Sequence, residues 1–258
     1  MKIIVLVKQV PDTYDERRLD PDTGILDRAA NEPIIDEIGE RAMEVALRYK
    51  DDNKAAEVVL LSMGPTTVTA ALRKGLSLGA DSAVHVLDDA LAGADLGWTA
   101  AVLAAAVKKT GFDVIIAGNE STDGRGGVIA AMVAEHLQLP HLTFLDSVEL
   151  SDDRVGGERG TESGSMTVHA SLPAVVSVTE RAPEVRFPNF RGILAAKKKP
   201  LTVLSLADLG IAPDALSGAR SVVVSTTQRP GRTAGTKIVD EGNAGVQLAE
   251  YLTAGHLI

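Results

Sequence analysis

Four short, continuous apolar runs mark the first half of the chain: Ile3 to Val7, Val58 to Leu61, Ala83 to Val86 and Val114 to Ala117, each bounded by polar residues or glycine. Runs of this length and polarity fit strands buried on both faces. Between them the apolar positions change to helical spacing, at Ile34, Ile38, Ala42, Val45 and Ala46, then Val68, Ala71, Leu72 and Leu76, then Trp98, Ala101, Val102 and Ala105. A fourth helix is predicted from about Gly127 to Leu137, and Pro65 suits a first helical position. Strand and helix in alternation predict an α/β fold. Right-handed crossovers make it a doubly wound, mostly parallel sheet, with ligands expected beyond the C-terminal ends of the strands.

After Pro140 the rhythm turns strand-like, at Thr143 to Leu150, Ser165 to Ala170 and Ala174 to Thr179. The Gly-rich stretch Val155 to Gly164 reads as a hairpin tip or loop between the first two. The expected organisation is one α/β domain over residues 1–207 and an arm over 208–258. The arm has short apolar stretches at Val222 to Val224 and Val246 to Leu252, the latter a short helix. With so little core of its own, it is expected to pack on another chain.

Composition narrows the chemistry. The chain has 258 residues, 24 Gly, eight aromatics and no Cys, which leaves no disulfide, thiolate nucleophile or Cys-ligated metal. A formal net charge of −9 argues against a nucleic-acid binder. The N-terminal apolar run stops at Lys8, too short for a signal peptide, and no stretch reaches the roughly 18 apolar residues of a membrane span. A cytoplasmic setting is the expectation.

Gly118-Asn-Glu-Ser-Thr-Asp-Gly-Arg-Gly-Gly127 follows a predicted strand and precedes a predicted helix. Glycines let backbone amides approach an anion, a helix N-terminus supplies a positive dipole end, and Ser121, Thr122 and Arg125 are further donors. The spacing is neither a P-loop nor G-x-G-x-x-G, so a phosphate site and an ordinary βα turn both fit. Val7 to Asp12 and Ser62 to Pro65 face the same rim of a parallel sheet and can enclose an adenosine with it. Met63-Gly64 fits a plain turn equally well.

Arg186 to Pro200 gathers two Phe residues, Arg residues and the triplet Lys197 to Lys199 in an otherwise acidic, aromatic-poor chain. An apolar anchor such as Phe190 with a charged rim is the usual makeup of a docking hot spot. The same spacing also fits core Phe residues and a solvated, basic helix end. Catalytic residues are not evident. The five His residues lack metal-ligand spacing, no nucleophile has a base partner, and the carboxylates of Asp12 to Asp22 and Asp51-Asp52 read as solvated loop charges.

These motifs together resemble one family, the beta (small) subunits of electron transfer flavoprotein, in their actinobacterial form. The likeness rests on Val7 to Asp12, Asp36-Glu-Ile38, Ala71 to Asp81, the Gly118 loop, Leu172 to Val178, Arg186 to Lys199, and Arg232-Thr-Ala-Gly235. The family commonly has Asn-Glu-Pro-Arg where this chain has Pro183-Glu-Val-Arg186. The resemblance implies a Rossmann-like, adenine-nucleotide-binding domain in a heterodimer with an alpha subunit that holds FAD, the beta subunit binding AMP. It implies an electron carrier, not an enzyme, between acyl-CoA or other flavin dehydrogenases and a membrane-associated quinone oxidoreductase, with a role in fatty acid β-oxidation.

Carried onto this chain, the AMP phosphate is expected on the amides near Asp123, Gly124, Gly126, Gly127 and Val128, with Gly118, Ser121, Thr122 and Arg125 in the same loop. The adenosine is expected against Leu6, Pro33, Ile34, Ile35, Asp36 and Met63. The segment at about 183–200 becomes a recognition loop, with Phe187, Phe190, Ile193 and Lys197 facing a dehydrogenase, and 208–258 an arm on the alpha subunit. Thr13 or Tyr14 is expected near the flavin. Two alternatives stand beside this: a bifurcating member with a second FAD in place of AMP and NADH as donor, and a stand-alone nucleotide-binding domain without a redox role.

Overall fold

The first apolar run forms β1 (Lys2–Leu6), the middle strand of a seven-stranded sheet in the computed structural model, which describes residues 1–212, 221 and 223–258. A two-stranded ribbon follows, β2 (Gln9–Pro11) with β3 (Pro33–Ile35). The winding then proceeds through α1 (Glu37–Asp52), β4 (Glu57–Met63), α2 (Val68–Leu78) and β5 (Ser82–Val86). Next come α3 (Leu96–Thr110), β6 (Val114–Gly118), α4 (Ile129–Leu137) and β7 (His141–Leu145). An antiparallel excursion, β8 (Ser147–Leu150), β9 (Arg154–Thr161) and β10 (Gly164–Ser171), precedes β11 (Ala174–Val178), α5 (Phe190–Ala196) and β12 (Leu201–Leu204).

All seven strands of the main sheet run parallel, in the order β12-β5-β4-β1-β6-β11-β7. From β1 the chain steps outward to β4 and β5. It then crosses back through α3 to β6 on the other side of β1. This reversal makes the fold doubly wound and puts a switch point at the C-terminal ends of β1 and β6.

Both sheet faces are buried, which is why the strands read as unbroken apolar runs. Ile3, Val5, Val58 and Leu60 pack with Met43 and Leu47 of α1 and Leu72 and Leu76 of α2. Ile4, Leu6, Val59 and Ile115 pack on the other face with Val102 and Val107 of α3 and Val133 of α4. Every buried hydrophobic residue among those described is Ala, Val, Leu, Ile or Met. Helix starts follow their caps: Asp36 Oδ1 accepts from Ile38 N at 3.1 Å, and Asp95 Oδ1 accepts from Trp98 N at 2.9 Å.

The sequence expectations need correction at several boundaries. Ile34 is not in α1 but in β3, because Asp36 caps the helix two residues later. Pro65 is not the first residue of α2; its carbonyl accepts from Val68 N at 3.0 Å in a turn that leads into the helix. Gly127, with φ +69°, delays α4 to Ile129. Thr143 to Leu150 is two strands in different sheets. The Gly-rich stretch from Val155 is not a loop but most of β9, and the chain reverses only at residues 162–163. Asp51 and Asp52 are the last residues of α1, not loop charges.

Two compact units divide the chain at Ser225 and Thr226. Within Thr226–Ile258 the regular element is α6 (Ala244–Ala254), which takes in the helix expected at Val246 to Leu252 and leaves Val246 and Tyr251 exposed. Val222, part of an expected apolar stretch, lies outside the described residues. No helix among the described residues is long and apolar enough to cross a membrane.

The switch point needs a bare backbone at the end of β6. A Cβ on Gly118 would stand 3.1 Å from the Ile38 carbonyl carbon and 3.2 Å from Gly39 N, in the first turn of α1. Gly118→Ala is therefore expected to cost about 1–3 kcal/mol by forcing α1 off the sheet end. A lower midpoint of urea unfolding at unchanged slope measures it.

Candidate functional site at the switch point

Three chain segments meet where the winding reverses. The chain leaves β1 at Leu6, and Lys8 O accepts from Asp36 N at 2.9 Å, which sets β3 and the cap of α1 beside the end of β1. Gln9 to Pro11 pair with Pro33 to Ile35 across the ribbon. Gly118 ends β6 against the first turn of α1, and Met63 ends β4 on the other side of β1. Leu6, Ile34, Ile35, Asp36 and Gly118 are thus gathered by the topology, with Pro33 at the exposed end of its strand.

The loop after β6 is fastened by charge. Asp36 Oδ2 accepts from Thr122 N at 2.6 Å and from Thr122 Oγ1 at 2.8 Å. Arg17 donates to the Thr122 carbonyl and, at 2.9 Å, to Thr122 Oγ1. Lys8 Nζ reaches Ser121 Oγ at 3.2 Å and Asp123 Oδ1 at 2.8 Å, and Arg28 Nη2 reaches Asp123 Oδ2 at 3.0 Å. The hydroxyls of Ser121 and Thr122 are therefore engaged within the protein. Arg125, at φ +48°, pairs outward with Glu120 Oε1 at 3.1 Å.

Asp123 is the centre of this cluster, with only 1% of its side chain exposed. Burial opposes its charge, but the Lys8 ammonium, the Ser121 hydroxyl and Arg28 outweigh that and bring its pKa down to about 2. Sequence reasoning placed Asp123 in the loop but missed its partners. Lys8 and Arg28 stand 115 and 95 residues away in a chain where single cations carry no signal of pairing.

Other groups at this end of the sheet are left open. α4 begins at Ile129 behind Val128, which provides no side-chain cap, so its first amides have no carboxylate or hydroxyl of the usual kind. Ser62 Oγ beside Met63, and Asn119 Oδ1 beside Gly118, are buried without a partner among the described residues. Gly126 and Gly127 are backed by Leu96 and Phe144, where a Cβ would come within 3.2 and 3.4 Å. The arrangement offers amides to an anion near two unpartnered polar atoms, which suits a nucleotide.

The basic, Phe-containing segment lies elsewhere and is not a set of core residues. Phe187 is 94% exposed and Phe190 75%, and Ile193 and Leu194 are also exposed. Lys199 departs from the solvated helix end that its triplet suggested: its Nζ donates to Leu76 O at 2.9 Å and to Ala80 O, at the end of α2. Lys197 and Lys198 remain exposed. Tyr14 is fully exposed, and Thr13 Oγ1 donates to Glu37 at 2.7 Å.

The histidines are dispersed over the fold. His85 is buried in β5; its Nε2 donates to Gly64 O at 2.9 Å, leaving Nδ1 to accept from Thr69 Oγ1 at 3.3 Å. His136 lies in the last turn of α4 and His141 opens β7. No group of carboxylates and His among the described residues is arranged to hold a metal ion.

Because the folded pKa of Asp123 lies below its ordinary value of 3.8, its contribution to stability is complete above that pH and is lost as the pH falls through about 2. Asp123→Asn is expected to lower stability at neutral pH. The gap to the unaltered protein should narrow between about pH 4 and pH 2, as followed by urea unfolding across that range.

Comparison with known proteins gives the site its context. Residues 23–209 match the electron transfer flavoprotein domain model. The chain is 46% identical over 265 residues to the electron transfer flavoprotein subunit beta of Mycobacterium tuberculosis, with 99% of each chain covered. It is 34% identical over 262 residues to the subunit of that name in Thermoanaerobacterium thermosaccharolyticum, with both chains fully covered. It is 33% identical over 216 residues to the caffeyl-CoA reductase-Etf complex subunit CarD of Acetobacterium woodii, covering 83% of this chain and 82% of that one. A doubly wound sheet, a glycine-rich loop at its switch point and full-length likeness to mycobacterial beta subunits agree: the chain belongs to the electron transfer flavoprotein family, on its actinobacterial beta-subunit side.

Proposed function

We propose that this chain is the beta subunit of a heterodimeric electron carrier whose alpha subunit holds FAD, and that its own switch-point site holds AMP. The observation that carries the AMP reading is the glycine-rich loop before the uncapped start of α4, with Ser62 Oγ and Asn119 Oδ1 unpartnered nearby. The amides of Gly124, Gly126, Gly127 and Val128 would hold the phosphate. Leu6, Ile34, Ile35 and Met63 would line the adenosine, with Pro33 and Asp36 at its edge. Bound AMP supplies no electron chemistry and serves as structure; the redox group is the partner's flavin.

This chain's own residues then have two tasks. Those of the switch point keep the loop closed: Asp36 and Arg17 hold Thr122, and Lys8 and Arg28 hold Asp123. Those of segment 183–200 dock a dehydrogenase. Phe187, Phe190 and Ile193 offer an apolar surface rimmed by Arg191, Lys197 and Lys198, which fits a partner pocket bordered by carboxylates. In the cytoplasm the carrier takes electrons from acyl-CoA or other flavin dehydrogenases in fatty acid β-oxidation and delivers them to a membrane-associated quinone oxidoreductase. The arm from residue 208 packs on the alpha subunit.

Acid extraction of the purified heterodimer, followed by chromatography, is expected to release one AMP and one FAD. Two FAD and no AMP would overturn the AMP reading in favour of the bifurcating form. Phe190→Ala is expected to raise the KM of a flavin dehydrogenase for the carrier by about tenfold, as loss of an interface anchor does. An unchanged KM would remove Phe190 from the docking surface.

A further inference from the structure

We infer that Glu44 is a positioning residue for partner docking: through Arg186 it fixes where the exposed Phe187 and Phe190 stand, an inference that rests on the docking role proposed for that segment. Glu44 sits in the middle of α1 between the core residues Met43 and Val45 and is only 4% exposed. A carboxylate in such a place destabilises a helix interface unless it is fully paired, and an aliphatic residue would serve stability as well. Its partners therefore indicate what it is there to hold.

Those partners come mainly from one residue. Glu44 Oε2 accepts from Arg186 N at 3.1 Å and from Arg186 Nε at 2.9 Å, while Oε1 accepts from Arg186 Nη2 at 3.0 Å and from Arg48 Nε at 3.2 Å. Arg186 Nη2 also meets Asp51 Oδ2 at 2.8 Å. Both the backbone and the fork of Arg186 are thus bound to α1, a bidentate geometry that lysine cannot reproduce. Burial alone would raise the Glu44 pKa, but the Arg186 bonds hold it below the usual carboxylate range.

The next residue is Phe187, which is almost wholly exposed. Two residues further on a short helix starts, and its far end is fixed again. Asn189 Oδ1 accepts from Gly192 N at 2.8 Å to start α5, and Arg73 Nη1 donates to Ala196 O and Lys199 O at 2.7 Å each. Gly192 lies so close to α2 that a Cβ would stand 2.3 Å from Ser77 O. Phe187 and Phe190 are therefore presented between an anchor on α1 and an anchor on α2. Holding apolar side chains in place before contact reduces the ordering that docking would otherwise demand.

The test uses the intact heterodimer. Glu44→Gln keeps the shape and removes the charge; it is expected to raise the KM for a flavin dehydrogenase by about tenfold with kcat unchanged. Reduction of a small dye by the flavin, which needs no docking, should stay the same, and amide exchange over residues 187–193 should quicken. Asp51→Asn, on the solvent side of the same fork, should raise KM by about threefold and serves if Glu44→Gln does not assemble. A lower melting temperature with unchanged KM, or equal losses with dye and dehydrogenase, would reduce Glu44 to a structural role and overturn the inference. If Phe190→Ala raises KM and Glu44→Gln does not, positioning alone fails; if neither does, the docking reading fails as well.

Discussion

The structure depends on a constraint of parallel sheets: successive strands must be joined by crossovers, and a chain that winds first one way and then the other leaves a gap where it turns back. Here the turning point is β1. Its two neighbours, β4 and β6, are reached by helices on opposite faces, so the loops after β1 and β6 part at the C-terminal edge. The gap is lined by backbone and polar groups where the apolar packing of the two faces ends, at Leu6 and Ala117 on one and Val7 and Ile35 on the other. The loop from Gly118 to Gly127 is shaped by that position as much as by its glycines.

Charge is used differently at the two places where it concentrates. At the switch point, Lys8, Arg17 and Arg28 turn inward on Thr122 and Asp123, so cations that the composition offers to solvent are engaged in closing a loop. In segment 183–200, Arg186 and Lys199 are likewise turned inward, onto α1 and α2, while Arg191, Lys197 and Lys198 stay outside. A net charge of −9 therefore conceals a small outward-facing basic patch beside exposed Phe residues. Partly buried pairs of this kind are less screened by salt than the outward patch, whose attraction falls as ionic strength rises.

The order of strands and helices in the sheet was legible because buried parallel strands leave continuous apolar runs and their helices leave a 3.6-residue period. Boundaries were less so. Ile34 continues the helical spacing of Ile38 and Ala42, yet its backbone pairs with Val10, a partner that no local pattern announces. Glycines read as loop formers in β9, where Gly157 is needed because a Cβ would strike Ser147 O at 2.0 Å. The Gly118 loop was legible as a place for an anion, but the pairing of Asp36 with Thr122 spans 86 residues and that of Glu44 with Arg186 spans 142. Such contacts are set by topology, and one sequence carries no trace of them.

The anchors of Arg186 and Lys199 have a consequence for the order in which the protein is made. Both seats, Glu44 on α1 and the end of α2, belong to the first third of the chain, whereas the residues they receive emerge more than a hundred positions later. Contacts of such long sequence separation form only after the intervening chain has closed its loops. A nascent or half-folded subunit therefore has no fixed Phe187 and Phe190 to present. The segment takes its shape only on a finished sheet, and its geometry records that folding is complete.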